Sequence, residues 1–324
     1  MLQRRTLLAA AAGLAAPAIA RANETSWPTR TVRFICPFAP GGGTDTVSRL
    51  LCDQLARRFG QQFVVDNKSG AGGNIGTVEL ARAAPDGYTL GLISVASHTL
   101  NPMLYTKLPY DPDKEIVAIS RLAILSNLLG VTSSLPVNSV AELIELSKAN
   151  PGKYSFASSG PGSSLHLSGE LFKAMAAVDI VHVPYKGAGP AYNDLMSGTI
   201  TMMFANMPSM LPQVRRGRVK GLGVTSRERS WAALDLPAIS ETLPGYAATS
   251  WYGAGAPAGT PEPILARLEA AIIESLQEAE IRKRWETDLG LDMPPAGRNG
   301  FAAFLAEDRI LWAPAVKASG VKLD

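Results

Sequence analysis

The chain has 324 residues, of which 46% are hydrophobic and 18% are charged, and its formal net charge is only +3. This is an ordinary globular composition, and the length exceeds what one hydrophobic core usually holds, so two domains of α/β size are expected. The one tight basic run, Arg215-Arg216-Gly217-Arg218, has no interleaved aromatic residues. We therefore expect no nucleic-acid partner, and the small positive balance suits an anionic small ligand.

The first 22 residues have the pattern of an export signal. Arg4-Arg5 gives a basic start, an apolar stretch runs from Leu7 to Ile19, and small residues lead up to Ala22. The apolar stretch is shorter than the roughly 20 residues of a membrane-spanning helix, and Pro17 interrupts it, which favours a cleaved signal over a retained anchor. The paired arginines also fit a twin-arginine signal, and both export routes stay open.

A glycine-rich turn joins the first predicted strand to the first predicted helix. The strand covers residues 31–37, the turn is Gly41-Gly42-Gly43, and the helix covers residues 44–59, capped by Thr44 or Asp45. The first N–H groups of a helix have no intrahelical partners and lie at the positive end of its dipole, so this turn can bind a carboxylate or phosphate. A tight turn with no ligand is the alternative interpretation of the three glycines.

Strands and helices then alternate along the chain, which predicts parallel sheets with helices on both faces. Further strands are predicted over residues 63–66, 89–94, 154–158, 181–183, 201–204 and 220–224, and helices over 75–83, 140–149, 165–176 and 190–197. The apolar run 119–131 predicts a strand that crosses into a second domain, and residues 249–254 predict the return crossing. This gives a discontinuous first domain, 23–124 with 248–324, and a second domain, 125–247.

The C-terminal part is predicted to be helical. One helix has an apolar face on Ile264, Leu265, Leu268, Ile272 and Leu276. The last helix has an apolar face on Phe301, Phe304, Leu305, Leu311, Trp312, Ala315 and Val316. The aromatic residues of this second face are expected in the core.

Two more glycine-rich turns precede predicted helices. The first, residues 69–76, is similar to a dinucleotide fingerprint, but its spacing is one residue off and no acidic residue follows about 20 positions later, so NAD is rejected and no cofactor is expected. The second, residues 158–164, matches the turn at Gly41-Gly42-Gly43 in its position before a helix. The two halves of the chain thus carry matching turns that can bind an anion.

The residues that could carry redox, metal or hydrolytic chemistry are few. Cys36 and Cys52 lie in apolar patterns, which favours two buried free thiols, with a disulfide left open. His98, His166 and His182 are far apart in sequence, and no metal-type cysteine spacing occurs, so no metal is expected. Ser163 and His166 are three residues apart without a G-x-S-x-G elbow, so a secreted Ser/His hydrolase is a disfavoured alternative and we expect no enzyme.

Ordered motifs along the mature chain are similar to those of a known family. They are residues 37–45 (PFAPGGGTD), 67–76 (NKSGAGGNIG), 86–90 (DGYTL), 108–111 (LPYD), 158–167 (SSGPGSSLHL), 182–187 (HVPYKG) and 313–322 (APAVKASGVK). With them the chain resembles the Bug-type, or TctC-like, periplasmic receptors, which are the substrate-binding components of tripartite tricarboxylate transporters. The resemblance covers the whole mature chain.

The resemblance implies a type II-like periplasmic binding protein of α/β class, with two domains that each contain a mainly parallel sheet flanked by helices. It implies that the domains close over a small organic carboxylate, held mostly by backbone N–H groups and ordered waters at the two glycine-rich turns. The protein is then a periplasmic, monomeric receptor that delivers its ligand to membrane transporter subunits. A ligand sensor that signals to a membrane sensor kinase is the alternative, since both roles need closure on a ligand.

The candidate ligand-binding residues follow from these motifs. The part of the binding site at the first glycine-rich turn, called the first seat, comprises Phe38, Ala39, Gly42, Gly43, Thr44 and Asp45. The opposite seat comprises Ser158, Gly160, Gly162, Ser163 and His166, and the cleft between them is expected to include Ser97, His98, Tyr185, Asn206 and Tyr252. Two of them have another role equally open, Asp45 as a helix cap and His166 as a packing or capping residue, and packing at the hinge is the favoured role for Tyr252.

One position departs from the family pattern. The family commonly has an aspartate in the segment 203–206, where this chain has Ala205. If that aspartate meets a polar or cationic group of the ligand in relatives, this receptor prefers ligands that lack such a group.

Overall fold

The computed structural model describes residues 27–294 and 296–324, so the signal predicted over residues 1–22 lies outside the described residues. The strands are β1 Val32–Cys36, β2 Phe63–Asn67, β3 Thr89–Ser94, β4 Ile116–Thr132, β5 Ser155–Ser158, β6 Val181–Pro184, β7 Met202–Asn206, β8 Val219–Val224, β9 Thr249–Pro257 and β10 Ala296–Gly297. The helices are α1 Gly43–Phe59, α2 Asn74–Ala81, α3 Asn101–Leu104, α4 Pro112–Glu115, α5 Val140–Lys148, α6 Ser164–Ala176, α7 Ala188–Ser197, α8 Met207–Arg215, α9 Glu262–Gln277, α10 Ala279–Lys283 and α11 Arg298–Ser319.

The strands form one continuous sheet in the order β2-β1-β3-β9-β4-β7-β5-β6, with β8 and β10 also paired to β4. We call the part built on β1, β2 and β3 the first lobe, and the part built on β5, β6 and β7 the second lobe. Within each lobe these strands are parallel, whereas β4 and β9 are antiparallel to their neighbours. The predicted α/β class is confirmed.

Strand β4 belongs to both lobes. Its first part, up to Ser126, pairs with β9, and its last part, from Asn127 to Thr132, pairs with β7 and β8. An almost continuously apolar strand is expected here because both faces of the sheet are covered. The chain therefore passes from one lobe to the other inside a hydrogen-bonded strand.

Three apolar clusters form the core. The first packs α1 and α9 on the first lobe, the second packs α7 and α8 on the second lobe, and the third includes residues of both lobes with Trp251 and α11. Cys36 and Cys52 are buried and free, as the sequence favoured. None of the helices in the described ranges is long and apolar enough to span a bilayer.

Two local predictions are wrong. Thr44 and Asp45 do not cap α1: the N-cap is Gly42, which has no capping side chain, and the Asp45 carboxylate instead accepts the N–H of Gly41. Leu311 is 72% exposed although Trp312 beside it is buried. Consecutive residues of a helix point about 100° apart, so burial of Trp312 does not by itself bury Leu311.

Candidate ligand-binding cleft

A small cavity lies between the two lobes. Its lining residues are Phe38, Gly42, Gly43, Thr44, Ser94, Val95, Ala96, Ser159, Ser163, Ser164, Ala188, Asn206, Ser250 and Tyr252. None of these lining residues carries a charge. Four helices begin here, namely α1, α6, α7 and α8, so their free N–H groups and dipoles supply the positive potential of the cleft.

Close packing brings the start of α1 against the opposite wall of the cleft. A Cβ at Gly43 would lie 2.9 Å from both the Tyr252 hydroxyl and Asn206 Cβ, which is closer than such atoms pack. Only glycine therefore allows this approach. The first N–H groups of α1 and the Tyr252 hydroxyl consequently converge on the same space.

Asp45 fixes the shape of the turn before α1 and does not line the cavity. Its carboxylate accepts hydrogen bonds from Gly41 N at 3.1 Å, Arg49 Nε at 3.0 Å and Asn67 Nδ2 at 3.0 Å. Burial by itself would raise the pKa of Asp45, but these hydrogen bonds outweigh it and hold the pKa below its usual value. The carboxylate therefore stays ionised, and Arg49 compensates its charge behind the turn, so that it does not repel an anionic ligand.

The glycine-serine turn before α6 uses two of its own N–H groups internally. Gly160 N donates to Ser158 Oγ at 3.0 Å, and Gly162 N donates to His166 Nδ1 at 3.3 Å. Ser163 caps α6 by accepting from His166 N at 3.2 Å. The N–H groups of Gly160 and Gly162, predicted to hold the ligand, are therefore occupied, and the lining positions on this side are Ser159, Ser163 and Ser164.

The floor of the cleft has two buried hydroxyl groups without a partner. Ser94 and Tyr252 are cross-strand neighbours on β3 and β9, and neither Ser94 Oγ nor Tyr252 Oη finds a hydrogen-bond partner within residues 27–294 and 296–324. Burial raises the pKa of Tyr252 well above its ordinary value, so the hydroxyl stays protonated and can donate. A buried hydroxyl without a partner costs about 1–3 kcal/mol, which a ligand acceptor would recover.

Seven predicted site residues line the cavity: Phe38, Gly42, Gly43, Thr44, Ser163, Asn206 and Tyr252. The others lie outside the lining: Ala39, Asp45, Ser97, His98, Ser158, Gly160, Gly162, His166 and Tyr185. Several of their polar groups have partners elsewhere: Ser97 Oγ bonds to Ser94 N and to His98 Nδ1, and Tyr185 donates to Asp194 at 2.5 Å. His98 Nε2 is buried without a partner within the described residues. Ala39 N donates to Lys186 O of the opposite lobe at 3.3 Å.

The lining residues missed by the sequence reasoning come from three sources. Ser159 and Ser164 lie in the predicted turn 158–164, next to the residues chosen from it. Ser94 ends β3, Val95 and Ala96 follow it, and Ser250 shares a face of β9 with Tyr252. Ala188 begins α7 after Gly187 and before Pro190, which is a third glycine-containing start of a helix. A search for all helix starts would have found Ala188, whereas the pairing of β3 with β9 has no sequence signal.

The lobes touch on both sides of the cavity. A Cβ at Gly72 would overlap the carbonyl oxygen of Pro161, and a Cβ at Gly189 would overlap the carbonyl oxygen of Pro40. Residues around Gly72, in the glycine-rich segment 69–76, therefore form an interlobe contact rather than part of the lining. The cleft is closed in this structure.

Ser163 and His166 do not form a nucleophile and base. Ser163 Oγ donates to Gly160 O at 2.7 Å and accepts from the backbone N–H of His166, while the His166 imidazole accepts from Gly162 N. No imidazole nitrogen is thus available to take the serine proton.

His166, Glu170 and His182 are the one group of three potential metal ligands in the described part of the chain, with ligand atoms within 4.8 Å of one another. Because His166 Nδ1 accepts from Gly162 N, its ring proton is on Nε2, which lies 3.7 Å from Glu170 Oε1. A metal at Nε2 would shift that proton to Nδ1, against the Gly162 N–H. The chemistry of this group therefore favours hydrogen bonding over metal binding.

Ala205 does not reach the cleft. It is 0% exposed and packs in the second-lobe cluster with Met203 and Tyr192, while the next residue, Asn206, lines the cavity. Ala205 itself therefore has no contact with the cavity, and the preference for ligands without a polar or cationic group stays a prediction.

Comparison with known proteins identifies the family. A model of the tripartite tricarboxylate transporter family receptors matches residues 47–321. BugT of Bordetella pertussis is 35% identical over 317 residues, covering 97% of this chain and 95% of BugT. Among solved structures, R. palustris Rpa4515 with adipate is 35% identical with a TM-score of 0.88, covering 91% of this chain and 99% of that chain.

Two further structures agree. The periplasmic binding protein BugD is 33% identical with a TM-score of 0.87, covering 91% of this chain and 99% of its own. MatC of Rhodopseudomonas palustris with bound malate is 34% identical with a TM-score of 0.84, covering 90% of this chain and 100% of its own. The chain therefore belongs to the tripartite tricarboxylate transporter family of receptors, the TctC-like periplasmic solute-binding proteins.

Proposed function

We propose that this protein binds a small organic carboxylate in the cleft, closes over it and delivers it to the membrane subunits of a tripartite transporter. The observation that carries the proposal is a closed cavity with no charged side chain in its lining, in which helix N-termini face two unpartnered hydroxyl groups, those of Ser94 and Tyr252. Such a site supplies hydrogen-bond donors and partial positive charge without a fixed negative charge, which suits a carboxylate.

The ligands of relatives support a dicarboxylate. Rpa4515 was solved with adipate and MatC with malate, both dicarboxylates, and both proteins are similar to this chain over nearly their whole lengths. One carboxylate would be bound by the N–H groups of Gly43 and Thr44 together with the Tyr252 hydroxyl. The start of α6 at Ser164 would bind from the opposite lobe, since the N–H and hydroxyl groups of Ser163 both donate to Gly160 O.

The proposed closure assigns the two lobes to two domains, residues 23–124 with 248–324 and residues 125–247. Export by the signal over residues 1–22 would place the mature chain in the periplasm. There the protein would act as a monomer. A ligand that contacts both domains stabilises the closed form, and a membrane partner can distinguish this form from the open one.

The test is a titration of the mature protein with adipate and L-malate, monitored by calorimetry and thermal unfolding. At 100 times its dissociation constant a ligand adds about 2.7 kcal/mol of stability, whereas adipamide should add none. Tyr252→Phe should weaken dicarboxylate binding about 10- to 100-fold, because it removes a hydrogen bond to a charged acceptor. Tyr88→Phe is the matched control, since Tyr88 bonds to Thr29 outside the cavity lining.

Equal binding of adipamide and adipate would contradict carboxylate recognition. Unchanged affinity in Tyr252→Phe would remove the tyrosine from the site while leaving carboxylate binding itself in place.

A further inference from the structure

Two stacked imidazoles lie directly behind the turn that precedes α6. The rings of His166 on α6 and His182 on β6 are 4.1 Å apart at an angle of 24°, and Phe156 stacks on the other side of His182 at 4.8 Å. Neither imidazole lines the cavity, so neither is placed to touch a ligand. If they contribute to ligand binding, they do so indirectly, through the backbone groups to which they are hydrogen-bonded.

Each imidazole fixes one N–H group of the turn. His166 Nδ1 accepts directly from Gly162 N, as described above. His182 Nε2 lies 2.7 Å from Ser158 Oγ, whose oxygen accepts from Gly160 N. Ser158 Oγ already accepts a hydrogen bond from Gly160 N, so its own hydroxyl proton is free to form the hydrogen bond to His182 Nε2.

The contact of His166 with Gly162 N requires a neutral ring, because a protonated imidazole has no acceptor nitrogen, whereas Ser158 Oγ can either donate to His182 Nε2 or accept from it. Burial lowers the pKa of His166 to about 3, with His182 adding to the effect, and burial together with Lys173 lowers the pKa of His182 to about 4. Glu170, the carboxyl group beside His166, has a raised pKa because it is itself partly buried. Both rings are therefore neutral near pH 7.

The turn that these rings hold has two tasks in the closed structure. Its residues Ser159 and Ser163 line the cavity, and Ser164 begins α6 there. On its other side, Pro161 and Gly160 pack against Gly72 of the first lobe. A change in the backbone between Ser158 and Ser163 would therefore disturb the ligand seat and the interlobe contact together.

We propose that His166 and His182 are positioning residues, which hold the turn before α6 in the conformation that presents the helix start to the ligand and Pro161 to Gly72. This inference rests on the proposed function, because it concerns the same cleft.

The test uses variants that distinguish the contribution of the polar nitrogen from that of the aromatic ring. His182→Phe keeps an aromatic ring in the stack and removes the acceptor, whereas His182→Gln keeps an acceptor at the position of Nε2. His166→Phe and His166→Asn form the corresponding pair at Nδ1. Val181→Thr, at an exposed position on the same strand, is the matched control.

Adipate and L-malate are the probes, titrated by calorimetry. We expect both Phe variants to bind at least about tenfold more weakly than the parent protein, and we expect the Asn and Gln variants to recover most of that loss. Hydrogen exchange of the ligand-free protein gives a second readout, in which the N–H groups of residues 158–164 exchange faster in the Phe variants than in the rescue variants.

Three results would overturn the proposal: equal affinity in the Phe variants, equal losses in the Phe and rescue variants, or unchanged exchange of residues 158–164. Stabilisation of the parent protein by Zn²⁺ that His182→Phe abolishes would assign the pair to a metal instead and also overturn it. The exchange measurement needs no ligand, so a failure of the parent protein to bind either probe would count against the proposed function separately.

Discussion

The space beside the Cα of Gly43 is too small for a side chain. The missing side chain lets the start of α1 approach the Tyr252 hydroxyl and Asn206, and a Cβ there would lie 2.9 Å from each. The sequence shows three successive glycines at this turn, but it does not show which of them meets the opposite wall. The need for glycine at 43 is thus a property of the closed site and not of the turn alone.

Gly43→Ala should weaken binding of adipate and L-malate by at least about tenfold, because the new methyl group displaces Tyr252 or the start of the helix. Stability of the ligand-free protein should change by about 1 kcal/mol or less, since Gly43 lies in a helix where alanine is favourable. Calorimetry and thermal unfolding measure the two effects.

Gly300→Ala is the matched control for this substitution. Gly300 lies in α11, and a Cβ there would be no closer than 3.6 Å to the Cβ of Ala296. It should gain about 0.5–1 kcal/mol of stability without a change in affinity. Equal affinity in Gly43→Ala and Gly300→Ala would show that the approach of α1 to Tyr252 is unimportant for binding.

At the scale of elements, three of the four helices that begin at the cleft have no side-chain cap, whereas Ser163 caps the fourth, α6. The N-caps of α1, α7 and α8 are Gly42, Gly187 and Asn206, and none of the three makes a side-chain capping hydrogen bond. Outside the cavity lining, Asp111 and Ser139 cap α4 and α5, while α2, α9 and α11 have no side-chain cap. The uncapped N–H groups are therefore left for a ligand or for water.

The start of α7 also forms part of the interlobe contact. Gly189 packs its Cα against Pro40 O, and a side chain there would overlap that oxygen. Its φ is not in the left-handed region, so alanine is compatible with the helix itself. Gly189→Ala should thus leave the second lobe intact and obstruct closure.

We expect Gly189→Ala to unfold at the same temperature as the parent protein or slightly above it, and to bind adipate or L-malate at least about tenfold more weakly. Small-angle X-ray scattering should show that saturating ligand shortens the radius of gyration of the parent protein and of Gly300→Ala, but not of Gly189→Ala. A ligand-induced decrease of the same size in all three proteins would contradict this interpretation of the Gly189 contact.

For the whole molecule, the histidines make stability depend on pH. Burial is the main cause of the low pKa values of His98 and His166, about 3, and of His182, about 4, against an ordinary value of 6.5. Between pH 6.5 and about 4 the unfolded chain therefore binds more protons than the folded protein, and stability falls as the pH falls. The raised pKa values of Glu170 and Asp308 act in the opposite direction.

The thermal unfolding midpoint should accordingly be lower at pH 5 than at pH 7. Each imidazole that remains neutral in the folded state contributes up to about 1.4 kcal/mol per pH unit in this window. In His182→Phe the decrease in the midpoint between pH 7 and pH 5 should be smaller than in the parent protein. A decrease of the same size in both would show that other groups control the acid sensitivity.

The sequence by itself determined the α/β class, most of the alternating strands and helices and the family, and it favoured two buried free thiols; it did not predict α8. Local patterns suffice for these, because apolar periodicity and helix-start residues act within a few positions of the chain. It also located the start of α1, with Gly42, Gly43 and Thr44, and the start of α6 at Ser163, since a helix start exposes N–H groups wherever the helix packs.

Only the tertiary structure decided which donors face the cavity. The N–H groups of Gly160 and Gly162 donate to Ser158 and His166. The pairing of β3 with β9 places Ser94 beside Tyr252, and the hydroxyl groups of both have no partner within the described residues. The physical reason is that a hydrogen bond between residues distant in sequence depends on how the elements pack, and a local pattern of residues contains no information about that packing.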